Sequence, residues 1–458
     1  MLIAIVVSAW KFLPKFEPNK LFIYLWSLQI IGGSLLLLGT YRPTGWLFLY
    51  IACCCIILLI SAWLGKKTMT KVHFREQHYR LHEKRAVWVF FILFIPALLY
   101  PYVSLKINDI SLENYLSGQG FLDLNFRVAE LRYSLQYYEP AWASILLACV
   151  YFIPLYGGFI FLKLPRKKRW ISFLSVLPAL FIVLLLNTKS ALISVVLLWI
   201  AAYIASFIDS GNLNKWKLKR RNIILIAVSG LAFFAILYGS LVFRLGTLNT
   251  TSIKTANYKL SIYALGHIGT TDKWFDTQKS DIPLFNNQWG IRSFYGISNP
   301  LHLAKREQGI YTRCTVYAYH YRKLSLDPEP PLRQSSVLIP LPEGAERVTI
   351  VLINNEKYKK RPMYSNIYTL FRPLMEDFGI LGSFIFFAVM GFLASCAYYL
   401  LQKKNLFFIA VIVLSACLFF YCYYITSVWA YSTHIAAFVL FYAVLRLTFV
   451  KVSPKSDL

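Results

Sequence analysis

Apolar residues in this chain fall into uninterrupted runs of about 18–23 residues, separated by polar and mostly basic segments. A helix of that length covers a hydrocarbon core of roughly 30 Å. Helix is the default spanning form because lipid offers no partner to an unpaired backbone amide. The pattern predicts spans near 20–39, 45–64, 86–104, 141–162, 170–187, 190–208, 222–243, 378–401, 406–423 and 431–449. Met1–Leu13 is apolar but short, with Lys11 and Lys15 close behind. It lacks the early positive charge and small-residue cleavage site of a signal peptide, and reads as an interfacial or incomplete first helix.

The predicted fold class is therefore an all-α polytopic membrane protein with about 10–11 transmembrane helices and one large loop on the non-cytoplasmic side. Residues 1–243 carry the N-terminal helices, 244–377 the large loop and 378–458 the C-terminal helices, all in one membrane domain. A smaller segment from about Leu105 to Pro140 faces the same side. Within it, Leu124, Val128, Leu131, Leu135 and Tyr138 recur at helical spacing. In the large loop, Val337–Pro342 and Arg347–Ile353 read as two short strands joined by a turn containing Gly344. Loops this long are uncommon unless functional.

Composition agrees with the pattern: 57% of residues are hydrophobic and 15% charged, against roughly 25% charged in soluble domains. The net charge of +27 does not point to nucleic acid, because the basic residues lie between spans. Lys66–Arg85, Lys163–Arg169, Lys215–Arg221, Lys403–Lys404 and Lys451/Lys455 all fall on one side by counting through the spans, and Lys/Arg excess in short loops marks the cytoplasm. His73, His78 and His82 have mostly basic neighbours and read as part of a solvated loop. Seven of eight cysteines lie inside predicted spans; Cys314, in the large loop, has no thiol there to pair with. Cys53–Cys55 lack metal-ligand spacing and read as small hydrophobes.

Charge at the mouths of spans is costly near lipid and is usually kept for a task. Arg127 and Arg132 project from the 124–138 helix, Lys189 sits in the tight turn 187–190, and Arg244 stands where a span exits. Each has a plain alternative as a headgroup anchor. The most distinctive stretch is Ser365–Gly382, which sets Arg372, Glu376 and Asp377 at the membrane. Arg372 and Glu376 are spaced to pair on a helix, Pro373 suits its first turn, and Gly379 and Gly382 permit close packing. A plain helix start with acidic first-turn residues is the alternative. Phosphate-loop, His-Glu-x-x-His and Gly-x-Ser-x-Gly signatures are absent. From Arg244 to Arg372 the loop carries 18 Lys/Arg against nine Asp/Glu, which suits a diphosphate or lipid headgroups.

Asn366, Tyr368, Thr369, Arg372, Pro373, Asp377, Phe378 and Gly379, taken with this topology, resemble the Wzy-type O-antigen polymerases. The motif covers about eighteen residues and the architectural likeness nearly the whole chain. The resemblance implies a GT-C-like glycosyltransferase of the bacterial inner membrane with its active site facing the periplasm. Such an enzyme polymerises undecaprenyl-diphosphate-linked repeat units by inverting transfer. It implies Arg372, Asp377 and Glu376 as catalytic, Arg132, Arg127, Arg244 and Lys189 around the diphosphate, and Tyr368, Asn366, Trp289 and Arg292 at the sugars. Lys189 stands where family members are expected to show arginine. His267 and His302 are further candidate bases by position. No cofactor is expected; membrane lipid and a chain-length regulator are expected partners. An O-antigen ligase or a lipid-linked oligosaccharide flippase is the alternative.

Overall fold

The computed structural model describes residues 1–36, 45–72, 76–111, 138–211, 220–243, 282–286, 316–321, 350–352, 361–365, 369–422 and 431–452, with isolated positions at 120, 124, 128, 131, 253, 268, 271–272, 275, 293–294 and 429. After α1 (Leu2–Phe12), helices occupy every predicted stretch. They are α2 (Pro18–Leu36), α3 (Trp46–Lys71), α4 (Glu83–Ile107), α5 (Ala143–Ile160), α6 (Trp170–Leu174) followed closely by α7 (Leu177–Leu186), α8 (Lys189–Asp209), α9 (Arg220–Phe243), α10 (Phe371–Gln402), α11 (Phe407–Cys422) and α12 (Ser432–Thr448). Six described segments are long and apolar enough to cross a membrane: Trp46–Lys71, Glu83–Ile107, Ala143–Ile160, Arg166–Leu186, Lys189–Asp209 and Phe371–Gln402. The chain is a mostly helical, multi-pass membrane-embedded protein.

The short α1 ends where the Lys20 ammonium donates to the carbonyls of Trp10 (3.2 Å) and Leu13 (2.9 Å), satisfying last-turn acceptors that a helix leaves open. Helix α10 packs along α3, and also touches α2, α8 and α11; α5 lies against α4, α8 and α12. The α3–α10 approach depends on small residues. A Cβ at Gly65 would stand 2.7 Å from the Ser395 Cβ. Helix α11 touches α2, α8, α10 and α12, joining the two groups.

The basic segments predicted on one side meet at one end of this bundle. Lys163 and Lys404 both donate to the Asp209 carboxylate. Lys168 pairs with Glu83 at 2.5 Å, and Lys403 donates to the Met69 carbonyl at 2.5 Å. Strand β1 (His78–Leu81) runs antiparallel to a strand formed by Phe449–Val452, with Tyr79 opposite Lys451. This sheet was absent from the sequence expectations, which took both segments as a loop and a tail. Of the basic segment 215–221, Arg220 and Arg221 open α9, and residues 212–219 lie outside the described set. At the other end, Glu139 accepts from the hydroxyls of Tyr100 and Ser104, and Asn108 exchanges hydrogen bonds with the backbone of Tyr138.

Of the predicted insert strands, Ile350–Leu352 is a strand (β3) inside the 347–353 stretch. It pairs in parallel with β2 (Val316–Tyr321), which pairs antiparallel with β4 (Arg361–Ser365). The sheet order is β3–β2–β4. Residues 337–342, the other predicted strand, lie outside the described residues. With Phe449–Val452 as β5, these complete the described strands.

Between α1 and α2 a carboxyl is fully buried. Glu17 accepts from Asn19 Nδ2 (3.0 Å) and from the Lys20 amide (3.0 Å), and Asn19 also donates to the Gly391 carbonyl (2.9 Å) and accepts from the Tyr421 hydroxyl (2.9 Å). The cluster therefore ties α2 to α10 and α11. Burial pushes the Glu17 carboxyl from its ordinary 4.5 up to about 7, although hydrogen bonds from Lys20 and Asn19 oppose the rise. The folded protein thus holds this proton more tightly than the unfolded chain does. Its contribution to stability is fully present below about 4.5 and is lost as pH rises through about 7. Glu17→Gln is expected to flatten that part of the profile: thermal unfolding in detergent between pH 5 and pH 8 should fall with pH for the native chain and less for the variant. Parallel profiles would refute it.

Candidate functional site

Helix α10 is two helices joined at Gly379, whose backbone has φ 75° and ψ −178°. That region is open essentially only to glycine. The break leaves amides and carbonyls without their usual helical partners, and a piece of the large loop supplies them. Ile380 N donates to the Pro283 carbonyl (3.1 Å), Leu381 N to that of Leu284 (2.9 Å), and Asn286 N to that of Phe378 (2.9 Å). The Asn286 side chain donates to the Glu376 carbonyl at 2.7 Å. Residues 282–286 therefore lie across the break as a splint. A Cβ on Gly379 would meet the Pro283 oxygen at 2.5 Å and the Leu284 oxygen at 2.7 Å.

The turn before the break carries the charged residues. Arg372 is 5% exposed, and its Nε donates to Glu376 Oε1 at 2.9 Å, the pairing that their spacing predicts. Asp377, 1% exposed, accepts at Oδ2 from the Ser293 amide at 2.6 Å. Glu376 thus pairs with the guanidinium, and Asp377 holds the loop at Ser293. Pro373 sits in the first turn, as predicted. Just before the helix, Thr369 N donates to Thr271 Oγ1 at 3.0 Å, and Thr369 Oγ1 is buried without a hydrogen-bond partner among the described residues. Asp272, beside Thr271, is fully buried. Beneath them Phe371 meets Trp26 (4.7 Å between centroids) and Tyr50 (5.8 Å), and the Tyr50 hydroxyl bonds Ser383 Oγ at 2.6 Å. This aromatic floor anchors the charged turn on the bundle.

Lys189 opens α8, which touches α10, and its ammonium donates to Asn187 Oδ1 at 3.1 Å. Asn187 adopts the left-handed conformation, φ 52°, that closes the tight turn. Arg127, Arg132, Arg244, Trp289, Arg292, Asn366, Tyr368, His267 and His302 lie outside the described residues. Of the helix expected at 124–138, Leu124, Val128 and Leu131 are helical, with Leu124 and Val128 buried, whereas Tyr138 lies outside any helix and is exposed.

Sequence reasoning did not single out Asn286, Ser293, Thr271 or Asp272 as site residues. Asn286 had a signal, since it begins the polar, aromatic stretch 286–292; Ser293 acts through its backbone and had none. Glu139, exposed and held by two hydroxyls, was also missed. In α12, His434 is 2% exposed and stacks on Tyr151 at 4.1 Å, with neither ring nitrogen partnered among the described residues. No group of three His, Cys, Asp or Glu that could hold a metal occurs among the described residues.

The chain matches no family model, no curated protein and no solved structure.

Proposed function

We propose that the protein is a polysaccharide polymerase of the bacterial inner membrane, a GT-C-like glycosyltransferase with about ten spans whose large loop and active site face the periplasm. It takes an oligosaccharide from an undecaprenyl-diphosphate carrier and joins it to the non-reducing end of another lipid-linked repeat unit. The acceptor hydroxyl forms the new bond to the donor's anomeric carbon as the bond from that carbon to the diphosphate oxygen breaks. The hydroxyl proton passes to a protein base, and configuration inverts. The departing diphosphate carries the negative charge, so a positioned guanidinium stabilises the transition state.

The observation that carries this reading is the Arg372–Glu376 pair on the first turns of α10, at the junction of loop and membrane helix. Arg372 meets the diphosphate, Glu376 orients it, and Lys189, Arg127, Arg132 and Arg244 add cations. Asn366, Tyr368, Trp289 and Arg292 contact sugars, and Thr369 supplies a buried hydroxyl. A chain-length regulator is an expected partner. Loss of one such charge stabiliser costs roughly 10²–10³-fold in rate. Arg372→Ala is therefore expected to abolish polymer in membranes that hold normal amounts of the protein, and Arg372→Lys to restore part of it. A normal ladder of glycan lengths from Arg372→Ala would overturn the assignment. Deletion of the gene should leave single repeat units attached to their acceptor; none attached would make the protein the ligase instead.

A further inference from the structure

At the end of the bundle where the basic segments meet, α1 and α3 enclose an open crevice. Its volume is about 460 Å³, within the range of roughly 300–1,000 Å³ typical of small-molecule sites. It exists because the two helices are unequal. With 11 residues α1 is roughly 16 Å long and with 26 α3 is roughly 39 Å, so the end of α1 leaves part of α3 uncovered. The Lys20 ammonium fixes that end at the Leu13 carbonyl. Leu13 and Ala62 form the buried floor, while Phe12, Ile60 and Trp63 stand out as exposed walls. Lys66 lines the crevice one turn beyond Ala62, and Lys67 lies over the Trp63 ring at 4.9 Å.

The charge around it is one-sided. Residues 1–75 contain eight Lys/Arg and a single acidic residue, Glu17, which is fully buried. An apolar slot facing the hydrocarbon, with two lysines at its headgroup end, matches a molecule with a chain at one end and a phosphate at the other. A headgroup bearing its own cation would find no exposed carboxylate in this stretch to pair with, and would be repelled by the lysines. We propose that this crevice is a binding site for one anionic phospholipid, an acyl chain lying between α1 and α3 and the phosphate held by Lys66 and Lys67. The site is independent of the polymerase reading and lies at the opposite end of α3's neighbour α10 from Arg372.

The test uses the full chain in detergent, titrated with dioleoylphosphatidylglycerol or dioleoylphosphatidylcholine and read by native mass spectrometry. Phosphatidylglycerol is expected to give one saturable bound lipid, at least tenfold tighter than phosphatidylcholine. Lys66→Ala with Lys67→Ala should remove that preference. Ile60→Trp, which fills the crevice and keeps both lysines, should weaken binding of phosphatidylglycerol about tenfold. Arg166→Ala with Lys167→Ala, an exposed basic pair at the same end but away from the crevice, should change nothing. Size exclusion and thermal unfolding verify that each variant is folded. Equal affinity for both lipids, retained preference in the lysine variant, equal loss in the Arg166/Lys167 variant, or full binding by Ile60→Trp would each overturn the proposal. Displacement of the lipid by sn-glycerol 1-phosphate at equal concentration would likewise overturn it, since the chain would then contribute nothing.

Discussion

Gly379→Ala is expected to cost the protein its loop docking and much of its stability. The φ of 75° with ψ near 180° strains any side-chain-bearing residue by about 1–3 kcal/mol. The added methyl would also stand 2.5 Å from the Pro283 oxygen and 2.7 Å from that of Leu284, so it must push the splint away. Doing so breaks up to four hydrogen bonds across the kink, each with a net value of about 1 kcal/mol. Their loss leaves the backbone groups at the break without partners. The combined effect is about 3 kcal/mol or more, a large part of the roughly 5–15 kcal/mol that holds a typical protein folded. Thermal unfolding in detergent should move down by several degrees, and protease should cleave near 282–286 in the variant first. An unchanged melting temperature with an unchanged cleavage pattern would show that the splint does not hold α10. Because Arg372 stands two turns before this break, the polymerase reading proposed above expects loss of polymer in the same variant as well.

The second large effect is expected at the other end, at Asp209. Its carboxylate is 6% exposed and receives both Lys163 and Lys404, which are 17% and 33% exposed. Lys404 also donates to the Asp209 carbonyl. Asp209→Ala leaves two ammonium groups half out of water with no counter-charge, and removing one member of a buried pair typically costs 3–5 kcal/mol. The partial exposure of Lys404 reduces this, so about 2–4 kcal/mol is expected. Lys163→Met in the Asp209→Ala background should recover part of the loss, because it withdraws the better buried of the two stranded charges. Unfolding of the single and double variants in one detergent measures this. If the double variant is no better than the single one, the Lys163–Asp209 pair is not what binds α8 to the segment after α5.

Much of the fold could be read because spanning helices advertise themselves in composition. A run such as 46–63 is apolar throughout, so its helix had to lie there whatever its partners were. The span predicted to begin at 378 begins at the Gly379 break, while the amphipathic turns before it, Phe371–Phe378, carry charge and so escaped a purely hydropathic reading. Sidedness was legible from Lys163, Lys168, Lys403 and Lys404, which converge as predicted. The pairing of His78–Leu81 with Phe449–Val452 was not. Each strand has four residues, their separation along the chain is very large, and the basic residues around them outweigh the weak alternation. In the site, Arg372 with Glu376 followed from helical spacing alone. The grip of Asp377 on Ser293 did not, because a main-chain amide looks alike under every residue type. The fully buried carboxyl of Glu17 appeared in the sequence only as one acid before a proline.

The β1–β5 pairing also constrains the order in which the molecule is made. Strand β1 leaves the ribosome early, but its partner is residues 449–452. At synthesis rates of roughly 5–20 residues per second, β1 waits on the order of tens of seconds with both edges open. Through that interval α4 can already be inserted while its inner end is unsealed, since the His82 amide meets the Thr448 carbonyl only at the last. Closure of this end of the bundle thus comes late in assembly, and a ribosome stalled inside α12 would leave a bundle whose helices are threaded but not latched.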